Sequence, residues 1–180
     1  KAQELGKLEL DDPVSMYLPF PVVNPHHPEV AITLRQLVTH TSSILDTRDY
    51  LDRAWVLDDT VDLANALRID ISPCRFSPPS ATMSMEAFLH EYLGTEGAWY
   101  SDSAFSDFRP GARFNYSNVG ATLAAMVVER ATGIPFGAFT QQYILTPLSM
   151  NSSTWHENQI TDSAMSRLYR TRTEAYPRYS

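Results

Sequence analysis

The sequence predicts a mainly α-helical chain with long irregular loops, on three observations. Apolar residues recur at three- and four-residue spacing in four stretches, near 33–41, 84–93, 118–132 and 135–145. Prolines and glycines punctuate the chain between them. No segment before residue 160 alternates apolar and polar side chains as a half-buried strand would, and 165–172 does so only weakly.

Each element has its own local reason. Residues 5–14 predict the end of a helix and then a turn. Gly6 suits the left-handed position after a helix, and Asp12-Pro13 stops any helix before the proline. Pro19, Pro21, Pro25 and Pro28 keep 17–31 extended or irregular. Thr33 with Gln36 three residues on is a capping box heading a helix over 33–41, with Leu34, Leu37 and Val38 at helical spacing. Residues 47–70 mix charged and apolar side chains and are expected to hold one or two helices. Ser84 caps a helix over 84–93 that gathers Phe88, Leu89, Tyr92 and Leu93 on one face. The stretch 94–114 is a long connection, and its Trp99, Tyr100, Phe105 and Phe108 predict that it is ordered. The strongest helix covers 118–132, with Leu123, Met126, Val127 and Ala131 inward, Glu129 and Arg130 toward water, and Gly133 as its cap. Pro135 is expected at the first helical position of 135–145, with Phe136, Phe139, Tyr143 and Ile144 inward and Pro147 ending it.

Composition then removes several function classes. The length, 180 residues and 20.3 kDa, fits a single domain over 1–180. The net charge of −7 argues against nucleic acid or an anionic membrane as the main partner, since both need a basic surface. Cys74 is the lone cysteine, so neither an intrachain disulfide nor a multi-thiolate zinc site can form. There is no run of 18 apolar residues for a transmembrane helix. The first residues, Lys1 to Gly6, have neither an initiator Met nor the apolar stretch of a signal peptide, which suggests a chain beginning inside a longer gene product and leaves its compartment open. His26, His27, His40, His90 and His156 form no HExxH pair, so no metal site is expected. No GxGxxG, GxxxxGK[ST] or GxSxG occurs, and no cofactor is expected.

Two short strings could carry chemistry. His40-Thr41-Ser42-Ser43 puts a histidine beside hydroxyls at a helix C-terminus, where the bland expectation is that His40 and Thr41 cap the last carbonyls and the serines make the turn. Tyr116-Ser117-Asn118 follows the turn pair Pro110-Gly111 and opens the strongest helix. A tyrosine there sits where backbone N–H groups and the helix dipole stabilise a phenolate, and Asn118 can offer an amide to a ligand. The competing expectation is that Ser117 or Asn118 is merely an N-cap and Tyr116 packs beneath it.

The successive blocks Gly6-Lys7-Leu8-Glu9-Leu10-Asp11-Asp12-Pro13-Val14, Tyr17-Leu18-Pro19, and Ile32-Thr33-Leu34-Arg35-Gln36-Leu37-Val38-Thr39-His40-Thr41-Ser42 together resemble the β-lactamase-related serine hydrolases. The resemblance continues through Pro110-Gly111-Ala112-Arg113-Phe114-Asn115-Tyr116-Ser117-Asn118-Val119-Gly120, Val128-Glu129-Arg130-Ala131-Thr132-Gly133, Pro135-Phe136, Ile144-Leu145-Thr146-Pro147-Leu148-Ser149-Met150 and Thr154-Trp155. That group includes class C β-lactamases, D-alanyl-D-alanine carboxypeptidases and esterases. The similar blocks cover about 5–46 and 84–156 and leave 47–83 as a variable insertion. By this resemblance the chain is the helical region of a β-lactamase/transpeptidase-like α+β fold, with most of its sheet missing.

The resemblance implies a serine acyl-hydrolase acting on amide or ester bonds of a small-molecule or peptide acyl substrate. It implies that Tyr116 is the catalytic base or acid and that Asn118 binds substrate. A tyrosine, with an ordinary pKa near 10, must be shifted toward neutrality for that work, which a neighbouring lysine would do. The family's Ser-x-x-Lys cannot occur here, because the only lysines are Lys1 and Lys7 and residue 4 is Glu. Neither Lys-Thr-Gly nor His-x-Gly occurs. The expectation is therefore an internal fragment, inactive by itself, of a larger hydrolase whose relatives are often exported. Its exposed core surface, at Tyr143, Ile144 and the 123–127 face, would favour self-association. The alternative is a non-catalytic helical binding module of the same fold. Ser43 and Ser149 stand where the family usually has glycine, which questions a left-handed turn after the 33–41 helix.

Overall fold

The structure, a computed structural model, describes residues 1–57, 75–155 and 159. Parts of the 47–70 expectation, the weak strand near 165–172, Cys74 and His156 lie outside the described residues.

Among the described residues five α-helices carry the architecture: α1 (Leu34–Val38), α2 (Arg48–Ala54), α3 (Met85–Leu93), α4 (Asn118–Thr132) and α5 (Phe136–Thr140). The long α4 is the hub, and α1, α3 and α5 all pack against it. Its buried face, Val119, Gly120, Leu123, Ala124, Met126 and Val127, explains why. It meets Leu34 and Leu37 of α1 and Leu89, Tyr92 and Leu93 of α3 in one core. The Arg130 guanidinium of α4 also donates to the Glu86 carboxylate of α3 across their exposed edge. Among the described residues β-structure is limited to three isolated bridges: Pro13 with Thr33, Ile44 with Phe105, and Val56 with Ser77.

The cap chemistry agrees with the sequence at most helix starts. Thr33 Oγ1 accepts from the Gln36 N–H at 3.3 Å while Gln36 Oε1 accepts from the Thr33 N–H at 3.0 Å, closing the expected capping box. Ser84 and Ser117 cap α3 and α4 through bonds from the Ala87 and Gly120 N–H groups. Thr47 does the same for α2, and its hydroxyl also meets the Tyr92 hydroxyl at 2.9 Å.

Helix ends depart from expectation. Helix α1 stops at Val38 rather than 41, because His40 takes φ +54° and turns the chain. The His40 N–H then bonds the Leu37 carbonyl and the Thr41 N–H bonds the Gln36 carbonyl, the paired stop of a Schellman motif. Backbone groups rather than side chains of His40 and Thr41 thus satisfy those carbonyls. The same pair of bonds closes the opening turn at Gly6, as its sequence predicted.

The predicted 135–145 helix is shorter and differently started. Pro135 is the N-cap residue, α5 ends at Thr140, and Gln141–Leu145 widens into a π turn. Pro147 does not end the helical path: the Leu148 N–H still reaches the Ile144 carbonyl, and the stop comes at Ser149, φ +56°. Proline removes a donor from that last turn, and widened turns accompany such losses. Glu129, expected to face water, is half-buried and accepts from the Phe136 N–H at 2.6 Å, fixing α5 to the end of α4. Ser43 does take the left-handed turn that its side chain made doubtful, at φ +71°.

The connection 94–114 is held by its aromatic residues. Phe105 is 2% exposed and sits opposite Ile44, with Leu45 N–H to Ala104 carbonyl and Ser106 N–H to Ser43 carbonyl bonds on either side. Beside it lies Asn24, fully buried, whose amide donates to Ser43 Oγ and the Ser106 carbonyl, both at 2.9 Å, while its oxygen accepts from the His26 N–H. A buried amide with its donors and acceptor engaged fastens three loops at one point.

Candidate active site

Tyr116, Ser117 and Asn118 straddle the start of α4, and each has a different task. Ser117 is 1% exposed and serves as the N-cap. Tyr116 does not pack beneath it: its ring is 59% exposed and lies against His40, ring centres 4.6 Å apart. Its hydroxyl donates to Asn118 Oδ1 at 3.0 Å. The structure therefore brings Tyr116 and Asn118 into direct contact on an exposed face.

His40 reaches this place through its left-handed backbone. Its Nδ1 accepts from the Ser117 N–H at 3.3 Å, which puts the ring proton on Nε2, and its carbonyl accepts from the Asn115 N–H at 2.8 Å. The ring also meets Phe114 edge-on, at 5.9 Å. The α1 stop is thus docked directly onto the segment leading into α4.

Asp46 is the residue that sequence reasoning missed. Its carboxylate accepts four hydrogen bonds: from Asn118 Nδ2 at 2.6 Å, Asn118 N–H at 2.8 Å, Val119 N–H at 3.1 Å and Ser117 Oγ at 3.2 Å. An anion at a helix N-terminus satisfies orphan donors and faces the positive end of the dipole. Backbone N–H groups at the start of α4 were expected to stabilise a Tyr116 phenolate; those of Asn118 and Val119 are instead occupied by Asp46. The signal was faint in sequence: Asp46 lies 72 residues from Asn118, as an ordinary acidic residue before the Thr47 cap. Its position at the edge of the first similar block was the one available pointer.

An open apolar cavity of about 510 Å³ begins at His40. Its walls include Leu37 and Val38 of α1, Ala121, Ala125 and Val128 of α4, and Phe136 and Ile144. Among the described residues this flank of α4 is left open. The 123–127 positions expected to be exposed are mostly interior, with Leu123, Met126 and Val127 at 1% exposure or less.

Comparison with known proteins identifies the family of the chain. The family model described as Beta-lactamase matches residues 1–178. The serine beta-lactamase-like protein LACTB, mitochondrial, of Homo sapiens is 27% identical, covering 94% of the chain and 37% of that relative. The solved D-stereospecific amidohydrolase from Streptomyces sp. is 28% identical at a TM-score of 0.54, over 85% of the chain and 38% of that structure. The octameric penicillin-binding protein homologue from Pyrococcus abyssi shares the fold at a TM-score of 0.57 and 24% identity, over 88% of the chain and 30% of that structure. The chain thus spans roughly a third of the length of each.

Proposed function

The chain belongs to the β-lactamase family, and from that premise we propose that it supplies the Tyr-x-Asn part of a serine acyl-hydrolase site acting on amide or ester bonds. The observation that carries this reading is the 3.0 Å bond from the exposed Tyr116 hydroxyl to Asn118 Oδ1 at the start of α4. In the proposed cycle a serine hydroxyl attacks the substrate carbonyl while Tyr116, in its deprotonated form, takes the serine proton; the phenol so formed, the form that donates to Asn118 Oδ1, then hands that proton to the leaving group. Water then releases the acyl group, while Asn118 holds the substrate. The 180 residues contain no Ser-x-x-Lys, so the serine and its lysine come from elsewhere in the protein, and the chain alone is inactive. The fold class follows the same reading: this is the helical region of an α+β fold, with most of the sheet contributed from outside it. The uncovered α4 flank favours self-association of the isolated chain.

Labelling with a fluorophosphonate probe, read by intact mass, tests the activity. The longer protein should gain one adduct on one serine, and Tyr116→Phe should slow labelling by roughly a hundredfold or more. Asn118→Ala should weaken substrate binding and slow labelling as well. Labelling of Tyr116→Phe at the unsubstituted rate would sink the assignment. No adduct on the longer protein would favour the second reading, a non-catalytic binding module; the occupied Asn118 amide is the observation on its side.

A further inference from the structure

We propose that Asp46 is the positioning residue of this site, the group that decides which atom of Asn118 faces Tyr116. The inference rests on the Tyr116–Asn118 reading above. An ionised carboxylate can only accept hydrogen bonds, so the group 2.6 Å from it must be the NH2 of Asn118. The amide oxygen is then turned to Tyr116, and the Tyr116 hydroxyl must donate to it. In this arrangement Tyr116 is in its protonated form, the one that can hand a proton on, and the lone pairs of its oxygen are directed away from Asn118. Reversing the amide would put its NH2 against Tyr116 and engage those lone pairs.

The arrangement is built to hold. The second oxygen of Asp46 accepts from Ser117 Oγ and the Val119 N–H, so the carboxylate cannot rotate without breaking bonds at the start of α4. Its two bonds to Asn118 grip both backbone and side chain of one residue. Charge-assisted bonds of this length are about twice as strong as neutral ones. Asp46 lies two residues after the Ile44–Phe105 bridge, next to Leu45, whose N–H bonds the Ala104 carbonyl, and just before the Thr47 cap of α2, so it is anchored on both sides.

Substituting Asp46→Asn keeps the shape and removes the restriction, because an amide can present either a donor or an acceptor. In the longer protein this substitution should slow fluorophosphonate labelling by about ten- to a hundredfold, close to the effect of Asn118→Ala. The decisive comparison is the double variant. If Asp46 acts through Asn118, Asp46→Asn combined with Asn118→Ala labels no more slowly than Asn118→Ala alone. A merely structural role would multiply the two losses, and that result would overturn the proposal. So would unchanged labelling of Asp46→Asn while Tyr116→Phe is slow. Gly133→Ala, which strains the left-handed stop at the far end of α4, controls for general loss of stability and should label at the original rate. Should Asp46→Asn fail to fold, Asp46→Glu carries the same cycle: it keeps the charge, moves it by one methylene, and should slow labelling less than Asn118→Ala. Failure of Tyr116→Phe to slow labelling would instead remove the underlying reading, so the two failures are separable.

Discussion

Among the described residues three turns end on the same pair of backbone bonds, around Gly6, His40 and Ser149. Only the first has the residue that the conformation favours. An L-residue at positive φ costs about 1–2 kcal/mol, so the other two hold it against a penalty. His40 has a visible return, since its ring lies under Tyr116 and its Nδ1 holds the Ser117 N–H. Ser149 is exposed, and among the described residues no side-chain hydrogen bond accounts for it. Ser149→Gly should therefore raise stability by about 0.5–1 kcal/mol, allowing for glycine's greater chain entropy, and shift the thermal midpoint upward by a few degrees. Sequence reasoning located this position by the glycine expected there but assigned it no conformation. The same reasoning reached Tyr116 and Asn118 through a local string, whereas Asp46 is joined to them by folding alone.

At the level of elements, the legible parts were those with local causes. Capping residues and spacing predicted α3, α4 and the start of α1, because Thr33, Ser84 and Ser117 bond N–H groups within their own first turn. The misread parts depend on partners far away: Glu129 turns inward to cap α5, and α1 ends early where His40 meets α4. The packing of α2 on α3 has a measurable pH signature. Burial first, and the Asp46 carboxylate second, push the Tyr50 hydroxyl up to about 12, and burial raises Tyr92 in the same direction. The folded state then keeps a proton that the unfolded chain releases near pH 10. This contribution is complete below pH 10 and is lost as pH climbs through about 12, the folded value. Unfolding free energy measured from pH 9 to 12 should fall by something on the order of 2 kcal/mol from Tyr50, and Tyr50→Phe should flatten that fall.

Across the whole molecule, the two flanks of α4 have different fates. Leu123, Met126 and Val127 are enclosed, while Ala121, Ala125 and Val128 line the open cavity with Phe136 and Ile144. The sequence predicted an uncovered surface but placed it on the wrong flank in part, because helical spacing identifies an apolar face and not what covers it. Tyr143 and Ile144 are half-buried, which is intermediate between the two expectations. The isolated 180-residue chain should bind a hydrophobic dye and sediment as more than a monomer. A monomer with a sharp thermal transition and no dye binding would refute that proposal. The family was legible in the sequence, and the family match runs over residues 1–178.

Asn24 bears on how this molecule moves. One side chain joins the proline-rich segment at 24–26 to residues 43 and 106, which lie 19 and 82 positions away. None of these loops can swing out alone without leaving a donor or acceptor stranded in the interior, so they open together or stay shut. Ser43 leads within three residues to Asp46, and Asp46 holds Asn118. Asn24→Ala should therefore loosen the 43–46 segment and with it the hold of Asp46 on the start of α4, read as faster amide exchange at Asn118 and Val119.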